Sequence, residues 1–261
     1  MDNSCAILVL GCDKNISVLN IFFDFLKKFW PNCKYPIYLG LEKSTVRYEG
    51  VSTLNSNEKQ WAKRIKSYLM SLKEERVLII LDDFLPEAPV DFHKIETYIA
   101  YMKENQDIVT ISLAEIYDKA NFPSTYPGLM RRKSRGDYLL NMQVGLWNKS
   151  ILCALLRDKE TPWETELFGS IRARKYAKYQ FLCIPSDQNS PYRYGRGWLL
   201  VRGCWNGNEI KRLGLESYYK DIFDGKDIIY KGFMHISFIQ RVIRRLRIIY
   251  RKMLSRVGVY I

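Results

Sequence analysis

Apolar residues in this chain gather first as short unbroken runs and then as stripes at helical spacing. Ala6 to Leu10 is apolar throughout and ends in Gly11-Cys12-Asp13. A short run with polar ends predicts a strand buried on both faces, followed here by a tight turn. From Ile16 to Trp30 the residues Val18, Ile21, Phe22, Phe25, Leu26 and Trp30 share one face of a helix, which Pro31 stops. Ile37 to Leu39 predicts a second strand and Val51 to Leu54 a short third. A helix over about 57–73 turns Trp61, Ile65, Leu69 and Leu72 inward and leads into Val77 to Leu81, a run that stops at Asp82-Asp83. A helix over about 90–104 and a strand over 107–113 follow. This alternation predicts a mixed α/β fold, a mostly parallel sheet flanked by helices.

The pattern loosens in the middle of the chain. Residues 119–136 carry prolines, glycines and a basic cluster, and predict a mobile loop. Residues 138–147 predict a strand, 148–157 a short helix, and Thr161-Pro162-Trp163-Glu164 the start of another with proline in its first turn. Residues 179–184 predict a strand and 185–208, rich in Pro, Gly, Tyr and Arg, a loop or small hairpin over the site. The last stretch differs in kind. Ile239, Val242, Ile243, Leu246, Ile249, Met253, Leu254 and Val257 recur at helical spacing, with Arg241, Arg244, Arg245, Arg247, Arg251, Lys252 and Arg256 between them. A basic amphipathic helix of this kind suits an interface with anionic lipid. A terminal helix packed on the domain with a solvated basic face is the plainer alternative. The expected division is a domain over 1–232 and the basic helix over 233–261.

Composition narrows the partners. The net charge is +13 over 261 residues, which calls for nucleic acid, an anionic membrane surface or a phosphorylated substrate. Seven of the basic residues lie in the last stretch, which concentrates the excess there rather than across a domain face. No RNP, KH or helix-turn-helix pattern occurs, so no nucleic-acid partner is expected. The six cysteines are scattered and only His93 and His235 are present, which argues against zinc. They read as reduced residues of a cytoplasmic protein. No signal peptide and no uncharged stretch able to span a bilayer is found.

The chemistry gathers at Asp82 and Asp83. Open α/β sheets bind ligands beyond the carboxyl ends of their strands. Neighbouring side chains on an extended chain point to opposite sides, so the pair can serve two partners. Hard oxygen ligands suit Mg²⁺ or Mn²⁺ bridging a diphosphate. A helix cap or a solvated turn would use the same residues.

The segments LVLGCDKN (8–15), FWPNCKYPIYLGL (29–41), QWAKRIKSYLMSL (60–72), VLIILDDF (77–84), MQVGLWNKSIL (142–152) and PWETE (162–166) occur in an order and spacing that resembles bacterial sugar transferases of the GT-A fold. These belong to capsular and surface-polysaccharide biosynthesis. The resemblance reaches from near the start of the chain to about residue 205, and implies a GT-A-like (Rossmann-like) sheet and a nucleotide-sugar donor, UDP-sugar favoured. It implies base contacts from Gly11, Cys12 and Asp13, and a basic contact to the nucleotide from Arg64. It places Asp82 on the ribose and Asp83 on a divalent metal, with Gln143 and Gly145 lining the donor-sugar pocket. The family's Asp-x-Asp spacing is absent here, which leaves the metal open. A metal-free enzyme would need cations on the leaving diphosphate, and Arg131, Arg132, Lys133, Arg193, Arg196 and Arg202 are the candidates.

Glu166, with Glu164 second, matches the place where inverting enzymes of this fold supply the base. A helix N-terminus favours the ionised carboxylate, though acids are also common there as caps. Trp163 reads either as a stacking face for a sugar or as a core residue. The expected acceptor is a lipid-linked saccharide at the inner membrane face, reached through the basic helix, with the enzyme cytoplasmic and peripheral. The alternatives are a membrane-docking protein that kept the fold and lost the chemistry, or a basic nucleic-acid-binding protein.

Overall fold

The computed structural model describes residues 4–116, 121–133, 138–176, 178–195, 198–201, 203–217, 223, 227–230, 245, 246, 248–250 and 253. The chain begins with β1 (Ala6–Leu10), α1 (Ile16–Phe29), β2 (Ile37–Leu41), β3 (Val51–Asn55), α2 (Trp61–Ser71) and β4 (Arg76–Leu81). It continues with α3 (Phe92–Glu104), β5 (Ile108–Ser112), β6 (Phe122–Pro123), β7 (Met130–Arg131), β8 (Gly145–Asn148) and α4 (Lys149–Leu155). Then come α5 (Pro162–Ala173), β9 (Gln180–Cys183), β10 (Leu200–Val201), β11 (Cys204–Asn206), α6 (Gly207–Arg212) and β12 (Ile228–Ile229).

Among the described residues the main sheet runs β3-β2-β1-β4-β8-β5-β9-β7-β6. Strands β1 to β4 are mutually parallel, and β5 is parallel to β9. Strand β8 runs antiparallel between β4 and β5, and the β6–β7 hairpin adds an antiparallel edge. The fold is thus mixed and mostly parallel, with helices on both faces. The alternation of side chains along a strand shows why. In β1, Ile7 and Val9 enter the core beneath α1 and α3, whereas Ala6, Leu8 and Leu10 enter the opposite one, with α2, α4 and α5. In β4, Leu78 and Ile80 face the first core and Val77 and Ile79 the second. Each such side chain contributes roughly 1.5–3 kcal/mol when fully buried, so an unbroken apolar run is what a central strand of this sheet requires.

The first half follows the sequence pattern closely, with α2 and α3 each starting a little later than the periodicity suggests. Asp91 sets the start of α3 by accepting the Lys94 N–H. Two stretches differ. Residues 138–144 are not a strand, and only Gly145–Asn148 pairs in the sheet. Their backbone is satisfied by side chains instead: the Ser170 hydroxyl accepts the Leu140 N–H, Glu166 the Met142 N–H and Asn141 the Gln143 N–H. The segment expected as a loop over 119–136 contributes β6 and β7, because Met130 and Arg131 pair with Cys183 and Leu182 of β9. The segment over 185–208 does contain a hairpin, β10–β11, which joins β12 in a small second sheet.

Helix α5 is anchored at both ends. Thr161 and Glu164 form a capping box with Pro162 in the first turn. Near the other end, the buried Arg172 guanidinium grips both Glu160 oxygens at 2.6 Å and also donates to the Leu155 carbonyl. A paired buried charge adds little net stability but fixes geometry, since loss of one partner strands the other. The expected domain boundary near residue 232 lies outside the described residues. So does most of the basic stretch beyond it, including Ile239, Arg241, Val242, Ile243, Arg244, Arg247, Arg251, Lys252, Leu254, Arg256 and Val257. Its described residues are helical, and among them Leu246, Ile249, Tyr250 and Met253 are exposed. Among the described residues no helix is long and apolar enough to cross a membrane.

Candidate active site

The order β3-β2-β1-β4 means that the chain builds outward from β1 on one side and then crosses to the other. The carboxyl ends of β1 and β4 therefore flank the topological switch point, where a crevice opens in sheets of this kind. Their register continues past the last ladder pair, because the Asp82 N–H donates to the Leu10 carbonyl at 3.2 Å. Asp82 and Asp83 stand beside Gly11 and Cys12 at that edge.

No lysine or arginine among the described residues pairs with either carboxylate, and Asp82 Oδ2 is sealed from solvent with no hydrogen bond. Burial pushes Asp82 well above the ordinary carboxylate range, and the like charge of Asp83 adds to it; the Asn15 side chain opposes. Burial alone lifts Asp83 to about 6. The Cys12 thiol is also raised, by burial first and by the nearby Glu42 and Asp82 charges after it, so it stays neutral.

Asp13 presents the opposite case. It accepts the N–H groups of Glu42, Lys43 and Ser44 at 2.9–3.1 Å, while its own N–H donates to Glu42 Oε2. Its carboxylate thereby ties the end of β1 to the end of β2. Arg64 belongs to the same network. It pairs with Glu42 Oε1 at 3.0 Å and donates to the Glu58 and Lys59 carbonyls, so its charge is already compensated. Sequence reasoning overlooked Glu42, an isolated acid whose importance depends on strand neighbours. Gly11 is a packing requirement: a Cβ there would lie 3.1 Å from Leu19, Leu39 and Leu41.

Because β8 is antiparallel to β4, the residues just before it reach the same edge as the dyad. Gln143 Oε1 accepts the Tyr194 hydroxyl at 3.3 Å, and the Tyr194 ring stacks on Phe84 at 4.7 Å, directly after Asp83. Tyr192 is fully buried and its hydroxyl donates to the Phe84 carbonyl. The 191–195 segment is laced to the loop after the dyad by Glu87 N–H to Arg193 O and Asp91 N–H to Pro191 O. Glu87 also accepts the Gly195 N–H and both terminal nitrogens of Arg212. Gln143 and Gly145 line a cavity with Asn141, Arg132 and Trp147, but at ≈ 10 Å³ it has room for about one water and not for a sugar ring. Gly145 is fixed by close approach, since a Cβ there would lie 3.3 Å from the Ile111 carbonyl.

Glu166 is half-buried near the start of α5, with Oε1 accepting the Met142 N–H at 2.8 Å. Burial raises its pKa and that hydrogen bond opposes the rise. Glu164 is committed to the capping box with Thr161. Trp163 is 70% exposed, so it is no core residue. It lies one turn before Glu166 on α5, at the spacing that places two side chains on one helix face.

Of the candidate cations, Arg131 lies over the Phe122 ring at 5.9 Å, Arg132 is buried and bonds the Tyr138 carbonyl, and Lys133 is exposed. Arg193 is exposed on the 191–195 segment. Arg196 and Arg202 lie outside the described residues. Among the described residues no three acidic, cysteine or histidine side chains gather as a metal site. Two carboxylates suffice for Mg²⁺ or Mn²⁺ when a diphosphate and water complete the shell, and the orphaned buried oxygen of Asp82 fits that use.

No family model matches the chain, and no curated protein matches it. Among solved structures it is similar to S. aureus TarS 1-349 in complex with UDP-GlcNAc at 11% identity, covering 97% of this chain and 73% of that one, TM-score 0.47. Against TarS 1-349 without that ligand the match has 12% identity, 70% coverage of this chain, 61% of that chain and a TM-score of 0.42. A cytidylyltransferase from Leptospira borgpetersenii matches at 12% identity over 87% of this chain and 99% of its own, TM-score 0.46. Likenesses this distant transfer no activity and no residue role.

An acid whose folded-state pKa lies above its unfolded value destabilises the fold as pH rises through that interval. Asp82→Asn removes the buried, unpaired charge while keeping its shape. It should raise the thermal midpoint of the ligand-free protein at pH 7.5 and flatten the stability gain that the wild type shows on acidification toward pH 5. A lowered midpoint at both pH values would show that the Asp82 charge stabilises the fold.

Proposed function

We propose that this protein is a glycosyltransferase that moves a sugar from a nucleotide-diphosphate sugar to a saccharide acceptor. The observation that carries the reading is the pair of carboxylates beyond β4, at the switch point of a mostly parallel sheet, which no lysine or arginine among the described residues compensates. A structural acid in such a place is tied up as Asp13 is; an acid kept unpaired against the cost of burial marks a ligand site. The order of the segments that resemble GT-A sugar transferases supports the same reading. The crevice beside Gly11 and Cys12 would take the nucleotide, with Asp82 toward the ribose and Asp83 toward the diphosphate. A bound Mg²⁺ or Mn²⁺ would neutralise the leaving diphosphate. UDP is the favoured nucleotide.

Glu166 is the base in this reading. As the acceptor oxygen attacks the anomeric carbon, its proton passes to the carboxylate, the bond to the nucleoside diphosphate breaks, and the configuration inverts. The Met142 N–H holds Oε1 and leaves Oε2 for this role. Tyr194 and Gln143 form the wall between the dyad and the ends of β5 and β9.

The acceptor is lipid-linked in this reading, and the basic helix brings the enzyme to the inner face of the membrane as a peripheral protein. The exposed Leu246, Ile249, Tyr250 and Met253 support that use, together with the basic residues that alternate with them.

The nucleotide reading is tested by a thermal-shift series with UDP, GDP, CDP and CMP, with and without Mn²⁺. A metal-dependent rise with UDP or GDP is expected, and at a hundredfold excess over Kd it corresponds to about 2.7 kcal/mol. Asp83→Ala should abolish it. A rise with no nucleotide would leave a docking protein that has the fold without the chemistry. For the base, Glu166→Gln should keep the nucleotide shift and lose transfer by about 10²–10⁴-fold. The wild-type rate should fall as pH drops through a value above that of an ordinary glutamate, because the base must be ionised. Wild-type turnover in Glu166→Gln would remove it from the mechanism. For the tail, Leu246→Glu with Ile249→Glu should stop the full chain from co-sedimenting with phosphatidylglycerol vesicles. Unchanged sedimentation would refute insertion of that face.

A further inference from the structure

Beyond the carboxyl ends of β5 and β9 the surface opens into a cleft of ≈ 260 Å³, with neither Asp82 nor Asp83 in its lining. Leu113, Asp187, Gln188, Ser190, Arg193 and Tyr194 line it. Its frame is fixed: the Ser190 hydroxyl bonds the Leu113 and Tyr192 carbonyls at 2.6 and 2.7 Å, and Asp187 Oδ1 accepts the Glu115 N–H at 2.6 Å. On this frame stand two exposed polar side chains. Among the described residues the Gln188 carboxamide makes no hydrogen bond, and Arg193 bonds only the Gln188 carbonyl, at 3.1 Å, and pairs with no carboxylate.

We propose that this cleft binds the acceptor's sugar ring, which rests on the transferase reading above. A carboxamide offers both a donor and an acceptor and a guanidinium offers several donors, a mixture that matches vicinal hydroxyls. The aromatic ring of Tyr194 supplies an apolar wall for the C–H face of a pyranose. An isolated phosphate fits less well, because the Asp187 carboxylate lies in the same wall. The size suits a single ring, at the small end of ligand pockets. Its position suits an acceptor as well: Tyr194 lines the cleft, and its ring also stacks on Phe84, next to Asp83. A ring held there lies across one side chain from the leaving group.

The test is saturation-transfer NMR on the full chain with the methyl glycosides of glucose, galactose and N-acetylglucosamine, with and without UDP and Mn²⁺. At least one glycoside should receive saturation from the wild type. Gln188→Trp, which fills the cleft, should abolish the transfer, and Gln188→Ala should weaken it, with thermal midpoints and the UDP shift unchanged in both. Equal transfer in wild type and Gln188→Trp, or none from a wild type that binds UDP, overturns the assignment. Glycoside transfer lost in Gln188→Trp without any UDP shift keeps the cleft as a sugar site and removes the transferase reading instead.

Discussion

A strand buried on both faces can place a charge only beyond its end. Strand β4 is such a strand: after Arg76 at its start, the side chains from Val77 to Ile80 enter one core or the other, and the two acids follow directly after Leu81. Everything around them serves to hold that end in place. The Asp82 N–H extends the ladder from β1, Tyr192 grips the Phe84 carbonyl, and Tyr194 stacks on the Phe84 ring. Among the described residues no cation pairs with the acids, and their burial opposes ionisation. Folding alone would not select that arrangement, since an unpaired buried carboxylate destabilises the fold.

Asp13 gives the contrast within the same edge. It too follows an apolar strand, yet three backbone N–H groups and the Glu42–Arg64 pair surround it. Both are aspartates beyond parallel strands, and in sequence they look alike. The difference lies in who faces them. Asp13 meets the turn after β2, whose N–H groups it accepts, whereas Asp82 Oδ2 meets no donor among the described residues.

The second half of the site is assembled by unrelated segments. Strand β8 enters antiparallel, which brings 141–143 to the carboxyl edge of a parallel sheet. Helix α5 then meets that segment through Glu166 and Ser170. The 191–195 segment closes the far side and is held by Glu87 and Arg212. One edge of one sheet thus collects an acidic half at β1 and β4 and, at β5 and β9, the cleft lined by Gln188 and Arg193.

Sequence alone determined the layered α/β architecture, because burial on two faces leaves an unbroken apolar run and burial on one face of a helix leaves a 3.6-residue stripe. It also marked Asp82 and Asp83, since a polar stop after such a run is visible without neighbours. It marked the start of α5, where Thr161, Pro162 and Glu164 act within one turn. It could not show that Asp13 and Arg64 are bound to Glu42, that residues 138–144 trade a strand for side-chain partners, or that Trp163 is exposed. Nor could it assemble the cleft around Gln188 and Arg193. Those outcomes depend on contacts between residues far apart in the chain, and only the packed sheet brings them within a hydrogen bond of one another.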